Sequence, residues 1–405
     1  MKATKLPVIN DPIYGFISIN SLLAFDLIKH PYFQRLRRIS QMGLSSLVFP
    51  SARHSRFEHA IGAMHLMHAA IVTLRKKGVS ISKEEQEAME IAILLHDIGH
   101  APFSHALENS LFLNTHHEEV SLGLIKYLNT QFEGRLDLAL RIYENKYERK
   151  FMHQLVASQL DVDRLDYLKR DSFFTGATEG NINAQRIIAM MHVADDRLVF
   201  EENGLYSVEK FLMARRLMYW QVYLHKTGLA AEMLLQHTFH YLRTREKQGC
   251  FISTNPSLYY FFSKKTLDVT DPADLHQFSL LDDTDIIIAL KQWQKHPDPV
   301  ISSHASGLLF RNLPKIKFKA QPFSKAQIDK KRAKALAKGV SAKDLNNFVF
   351  TSSIHCKMYD ENQTPIWILK KSGKVKLLEE VSSLFSDKSV YKEETKYFLC
   401  SVRAK

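Results

Sequence analysis

The chain has 405 residues, 45% of them apolar and 24% charged, enough hydrophobic material for a packed core and a composition that excludes a mainly disordered or fibrous protein. Its 55 Lys and Arg against 43 Asp and Glu leave a formal charge of +12. Composition alone does not say whether that surplus binds polyanions or keeps the protein in solution.

The N-terminal residues reach Asn10-Asp11-Pro12 without an apolar leader, so no secretory signal is expected. From about Ser18 to Ser302, apolar residues recur every three or four positions with few Gly or Pro between them, which predicts a large α-helical body. Ser55-Arg56-Phe57-Glu58 has the spacing of a capping box. Ser82-Lys83-Glu84-Glu85 repeats it before Ala88, Ile91, Ala92, Leu94 and Leu95, a broad apolar face. The most apolar helical stretch, Ala60 to Leu74, contains His65 and His68 and is too short to cross a bilayer.

Between Arg311 and Leu345 there are eleven Lys or Arg and two Asp, so most of the net charge has a local address. Lys325 to Lys338 is expected to form a basic helix ending at Gly339. The stretch Lys315 to Lys343 has two readings, a solvated helix and linker or a polyanion surface whose affinity falls steeply with salt. Lys317-Phe318-Lys319 and Pro322-Phe323 offer few aromatics for base stacking. Asn347 to Met358, Ile366 to Lys371 and Tyr397 to Val402 are β-branched and aromatic, separated by Asp360-Glu361-Asn362 and Ser372-Gly373, the pattern of strands and turns. The expectation is a mainly α protein, all-helical over 1–310, with a basic linker or helix and a small C-terminal α+β lobe over 311–405. Cys250, Cys356 and Cys400 stand far apart with no CxxC pair, which suits a reducing, cytoplasmic setting.

Leu94-Leu95-His96-Asp97-Ile98-Gly99-His100 puts an adjacent His and Asp at the end of an apolar helix, a dipeptide that carries little weight alone. Its surroundings add weight. Arg56-Phe57-Glu58-His59 opens a helix upstream, and Asp161-Val162-Asp163-Arg164-Leu165-Asp166-Tyr167 sets three carboxylates within seven residues downstream. Asp163 and Asp166 share a helical face and would repel each other unless a cation or arginine sits nearby. Two imidazoles and two carboxylates make a mixed N/O shell that leaves positions open on a divalent metal. Such a metal polarises a phosphoryl oxygen and lowers the pKa of bound water from about 16 towards about 7, which points to hydrolysis of a phosphate ester or anhydride.

The order His59, His96-Asp97, Asp163 resembles the H…HD…D signature of the HD-domain phosphohydrolases. Gln34-Arg35-Leu36-Arg37, Gln41-Met42-Gly43, Val48-Phe49-Pro50, Arg56-Phe57-Glu58-His59, the run His96 to His105, and Asp161 to Tyr167 are similar to the deoxynucleoside triphosphate (dNTP) triphosphohydrolases of that group. The likeness runs from Val8 to about Leu313. It implies an HD-domain helical, metal-dependent phosphohydrolase core, with the metal site within about 50–175. His59, His96, Asp97 and Asp163 are then the ligands of one divalent transition metal, Mn, Fe, Zn, Co or Ni, with additional Mg accompanying the triphosphate.

The resemblance also implies catalytic roles for His100, His105 and His117, with His117 protonating the leaving group or assisting the attacking water. Glu108 stands where the family has an Asp that orients a histidine. Arg56, Arg164, Tyr167 and Arg215 match positions lining the triphosphate, Gln41 and Asp171 positions touching the sugar 3′-hydroxyl, and Met42 and Tyr223 the wall that crowds C2′. The implied reaction is attack of metal-activated water at the α-phosphorus, releasing tripolyphosphate and a deoxynucleoside from a homo-oligomer, dimer or tetramer.

Gln34, Arg37, Arg311 and Lys315 match parts of an allosteric site for a nucleotide activator. Lys29, however, replaces the acid that accepts from guanine there, and an ammonium is a donor only. Two other functions remain open: an HD phosphohydrolase acting on a monophosphate, a cyclic dinucleotide or ppGpp, and a non-catalytic nucleotide or nucleic-acid-binding regulator.

Overall fold

The helix Arg56–Lys76 runs through the interior, and its sequence explains why. Ala60, Ile61, Ala63, Met64, Leu66, Met67, Ala70, Ile71 and Leu74 are all buried, so apolar residues occupy more than one face, and such a helix is stable only when enclosed. It packs against the helices Lys83–Leu95 and Val162–Thr175. Both expected capping boxes are present. The Ser55 N–H donates to Glu58 at 2.7 Å, the Ser82 N–H donates to Glu85 at 2.7 Å, and the Glu85 N–H donates back to Ser82 Oγ at 3.0 Å. The computed structural model describes residues 6–111, 115–247, 254–264, 266–357, 359–360, 364–387 and 392–401; the expectations touching Cys250, Met358, Glu361, Asn362 and Val402 lie outside these.

The body over 1–310 is not all-helical. Val8–Asp11 (β1) and Gly15–Ser18 (β2) form an antiparallel hairpin whose turn is set by Asp11, its carboxylate accepting from the N–H groups of Ile13 and Tyr14 at 2.8 and 3.0 Å. Met191–Ala194 (β3) and Arg197–Glu201 (β4) form a second hairpin. Asp195 and Asp196 at its tip have φ of +48° and +57°, the two-residue turn whose twist matches that of the strands. Strands of four or five residues contain too few alternations to stand out from the helical periodicity around them.

The lobe after residue 310 is α+β, and it is joined to the body edge to edge. Lys315–Lys319 (β5), Val349–Cys356 (β6), Trp367–Leu369 (β7), Val375–Leu377 (β8) and Glu394–Ser401 (β9) are its strands. One sheet has the order β5-β9-β6, all antiparallel; the other, β3-β4-β7-β8, places β7 parallel to β4. Strand pairing therefore crosses the expected boundary at 310. Part of the basic stretch is strand rather than linker: along β5 the lysines at 315, 317 and 319 face outward while Ile316 and Phe318 pack inward, the period-two pattern of a half-buried strand. The basic helix follows at Lys325–Leu336, and Gly339 beyond it has φ +86°. Cys356 and Cys400 are buried free thiols. Among the described residues no helix is long and apolar enough to cross a membrane.

Gly62 is among the glycines that packing demands. A Cβ on Gly62, one turn beyond His59, would overlap Asp166 Oδ1 and Arg170 Nη2. Gly→Ala inside a helix ordinarily stabilises by up to about 1 kcal/mol. At this position the overpacking reverses the sign, and Gly62→Ala is expected to destabilise by about 1–3 kcal/mol in urea unfolding; an unchanged or raised midpoint would show that the contact is not tight.

Candidate metal centre and active site

Three helices bring His59, His96, Asp97 and Asp163 together. His59 lies in the first turn of Arg56–Lys76, His96 caps the C-terminus of Lys83–Leu95 with Asp97 after it, and Asp163 is in the first turn of Val162–Thr175. Asp163 Oδ1 is 3.0 Å from His59 Nε2 and 3.4 Å from His96 Nε2; Asp97 stands 3.5 and 3.4 Å from the same two nitrogens. The other ring nitrogens are occupied: His59 Nδ1 lies 2.7 Å from Asp166 Oδ2 and His96 Nδ1 2.6 Å from the Ile93 carbonyl. Both acceptors fix the proton on Nδ1 and turn the Nε2 lone pair to the centre. Each Nε2 is buried without a hydrogen bond, a costly state that a cation relieves.

The electrostatics agree. Burial works to lower the His59 pKa, but Asp163 and Asp166 outweigh it and hold it up to about 10. Asp163 lies well below the usual carboxylate range because His96 and His59 overcome its desolvation, and Asp97 is held down against burial chiefly by Arg56. A cluster that draws a second proton onto a buried imidazole favours positive charge at that point, and a divalent ion meets the same demand. The donor set fits such a metal.

Asp166, which has no metal-facing role, answers the repulsion expected from Asp163. Its oxygens accept from Arg170 Nε and Nη2 at 2.9 and 3.0 Å, and Arg170 Nη1 donates onward to Asp11 at 2.8 Å.

A second cluster holds the remaining histidines. The rings of His100 and His117 are 4.1 Å apart, and His105 is 5.1 Å from each. Glu108 joins them, with Oε1 2.7 Å from His117 Nδ1 and Oε2 3.0 Å from His105 Nδ1. Glu108 also accepts the backbone N–H of His117 at 2.8 Å, so the longer side chain does reach its histidines. Against the effect of burial, these bonds push Glu108 far below the usual carboxylate range and raise His117. His100 moves the other way, lowered well below the imidazole range by burial and by Arg56. Two adjacent imidazoles thus carry opposite protonation preferences.

Between the clusters opens a cavity of about 350 Å³ lined by Gln41, Met42, Arg56, Asp97, His100, His105, His117, Asp163, Arg164, Tyr167, Asp171 and Tyr223. Arg56 spans its floor, Nη1 bonded to Asp97 and Nε donating to Ser104 Oγ at 3.0 Å. Arg164 is anchored by Asp161 while its Nε keeps no partner. Asp171 is held between His54 Nε2 and the Tyr223 hydroxyl, each at 2.7 Å. A π-helical turn at Tyr219–Tyr223 brings both tyrosines to the same wall, a local widening common at functional sites.

Arg215 stands beside Tyr219 of that turn. It is outside the cavity lining, its guanidinium 5.9 Å from the Tyr219 ring and its Nε and Nη1 buried without hydrogen bonds. Its charge nonetheless acts on Tyr167, a lining residue, so the guanidinium lies close behind that wall with two nitrogens unpartnered. The proposed allosteric residues fall into two pairs. Gln34 accepts from Arg37 Nε at 2.9 Å, whereas Arg311 Nε donates to the Leu47 carbonyl at 2.7 Å and Lys315 opens β5. Lys29 pairs with Asp26 at 2.8 Å. None of these lines the cavity.

Sequence reasoning missed His54, Ser104, Tyr219 and Glu232 as site residues. Ser104 and His54 lie inside or beside quoted motifs, but Tyr219 and Glu232 sit on helices where nothing local distinguishes them from ordinary surface or packing positions. Arg35, inside another quoted motif, is structural. It is fully buried, donates to the carbonyls of Leu281 and His100 at 2.7 and 2.8 Å, and thereby holds the loop after Asp97.

A family model described as HD domain matches residues 56–171, and one described as HD associated region matches 182–250. The crystal structure of a phosphohydrolase from Bacteroides thetaiotaomicron is 46% identical, with a TM-score of 0.94 over 98% of this chain and 100% of that one. An uncharacterized protein of Bacillus subtilis is 31% identical over 319 residues, 77% of this chain and 72% of the relative. A Dictyostelium discoideum protein described as a deoxynucleoside triphosphate triphosphohydrolase SAMHD1 homolog is 33% identical over 251 residues, 57% of this chain and 48% of its own length.

Asp166→Asn is expected to weaken divalent-metal affinity about 10- to 100-fold in competition with a chelator, while His117→Ala retains metal at the wild-type stoichiometry. Equal affinity in Asp166→Asn and wild type would disconnect Asp166 from the centre.

Proposed function

Because the chain belongs to the family of HD-domain phosphohydrolases that includes the deoxynucleoside triphosphate triphosphohydrolases, we propose that this metal-dependent phosphohydrolase acts on dNTPs. The products are a deoxynucleoside and tripolyphosphate, formed by attack of water at the α-phosphorus. The observation that carries the reading is the lining of the cavity, where Arg56, Arg164, His105 and His117 stand together with the carboxylates Asp97 and Asp163. So many donors exceed what a monophosphate needs. Arginine's planar fork suits phosphate oxygens, and Arg164 is held on the lining by Asp161. Burial raises the Tyr167 pKa, which keeps its phenol protonated and a donor.

A divalent ion bound by His59, His96, Asp97 and Asp163 supplies Lewis acidity, polarising a phosphoryl oxygen and acidifying water. The protein's own groups do the rest. Glu108 occupies His117 Nδ1 and raises the imidazole's pKa, leaving Nε2 to deliver a proton to O5′ as the P–O5′ bond breaks. In this reading Asp171, held by His54 and Tyr223, accepts from a 3′-hydroxyl, and Met42 with Tyr223 crowds C2′.

The decisive assay incubates metal-loaded protein with the four dNTPs and matching rNTPs and identifies products. Tripolyphosphate and deoxynucleoside are expected; orthophosphate with a diphosphate, or no turnover, would remove the reading.

The proton role has its own test. A raised imidazole pKa keeps His117 charged to higher pH, and activity needing that proton falls as pH rises through the pKa. Glu108→Gln lowers that pKa, so the alkaline limb of kcat/KM should shift to lower pH. His117→Ala should cut kcat about 10²- to 10⁴-fold. An unmoved limb in Glu108→Gln would separate this pair from proton delivery.

A further inference from the structure

One carboxyl group in the cavity belongs to none of the machinery described so far. Glu232, on the helix Lys226–Lys247, lines the cavity together with Met42, Gly43, Ser45 and Tyr223. No described residue forms a hydrogen bond or ion pair with it, and burial alone acts on its proton, lifting the pKa to about 7. The carboxylates around His59 and the imidazoles around Glu108 exert no resolved influence on it, which sets it apart from the charged end of the same cavity.

The backbone opposite leaves it uncovered. Gly43 has φ +51°, and a Cβ there would come within 2.8 Å of the Phe103 carbonyl oxygen and 3.8 Å of Glu232 Oε1. No side chain fits at 43 without displacing the Phe103 backbone, so residue 43 itself does not cover the carboxyl. A polar group held in a largely dehydrated wall without a partner is unfavourable, and the arrangement makes sense where a ligand supplies the partner.

A nucleoside triphosphate has one highly charged end and one uncharged heterocycle. With the phosphates drawn to Arg56, His105 and Arg164, the heterocycle is left the Met42 and Glu232 end. We infer that Glu232 contacts the nucleobase of a bound dNTP and determines base preference, an inference that rests on the dNTP reading above. The chemistry suits an edge-on contact. A protonated carboxyl donates and accepts, an ionised one only accepts, and every nucleobase presents adjacent donors and acceptors along its pairing edge. Among the side chains on this wall, Glu232 is the carboxyl without a protein partner, and Tyr223 is already engaged by Asp171.

The test compares kcat/KM for dATP, dGTP, dCTP and dTTP in wild type, Glu232→Gln and Glu232→Leu, all metal-loaded. Gln preserves shape and both donor and acceptor; Leu removes both. Losing a buried hydrogen-bonding partner is expected to change the ratio between at least one pair of dNTPs about tenfold or more in Glu232→Leu, with Glu232→Gln closer to wild type. A ratio is the right readout, since general damage to the fold lowers all four rates together. Ratios within about twofold of wild type in both variants would overturn the inference and leave the proposed reaction standing. Wild-type protein that hydrolyses no dNTP would overturn both.

Discussion

The buried carboxylate of Asp166 is the interaction on which the site depends. It accepts from His59 Nδ1 and from two nitrogens of Arg170, and Arg170 continues to Asp11 at the end of β1. Asp166, His59 and Arg170 have no solvent exposure. In such surroundings a paired charge is tolerated and an orphaned one is costly, so each member holds the others in place. The N-terminal hairpin, the central helix and the helix bearing Asp163 are thereby pinned at one point. The side chain that stabilises this junction also aims His59 Nε2 at the candidate metal position, and Gly62 leaves the space in which the contact forms.

Around that junction the polar groups separate by charge. Carboxylates dominate near His59 and His96, where a cation is wanted; imidazoles and Glu108 dominate a few ångströms away, where a proton is held. Arg56 links the two regions through Asp97 and Ser104. Ser104 and Phe103 both take left-handed backbone conformations, with φ of +55° and +54°. Asp283 secures this strained stretch, accepting the Phe103 N–H at 2.6 Å and the Ser40 N–H at 2.9 Å. Strain of this kind persists where surrounding contacts over-determine it, and here they come from segments about 60 and 180 residues away in sequence.

The C-terminal lobe is built into this scaffold. β7 extends the sheet started by the 191–201 hairpin, and Glu202 accepts from Lys370 and from the Lys371 N–H. The local charge surplus near the junction is spread over the outward face of β5 and the helix Lys325–Leu336. It lies apart from the cavity, whose arginines are partnered individually by Asp97 and Asp161.

Sequence by itself determined what short-range physics controls: the capped helices at Ser55 and Ser82, the basic helix ended by Gly339, the mainly α composition, and the ordered histidine and aspartate set that the fold gathers at one place. These signals are local or lie in motifs whose residues must be present to act together. Tertiary structure decided the rest. The hairpins at 8–18 and 191–201 are too short to assert a period of two against long helices. The parallel pairing of β4 with β7 joins residues more than 160 positions apart. Arg35, Arg215 and Glu232 are charged residues whose meaning depends on what surrounds them. Burial among carbonyls makes Arg35 a brace, the fold sets Arg215 unpartnered beside Tyr219 and Tyr167, and the cavity wall leaves Glu232 without a partner. Desolvation and convergence set those roles, and both are properties of the folded chain.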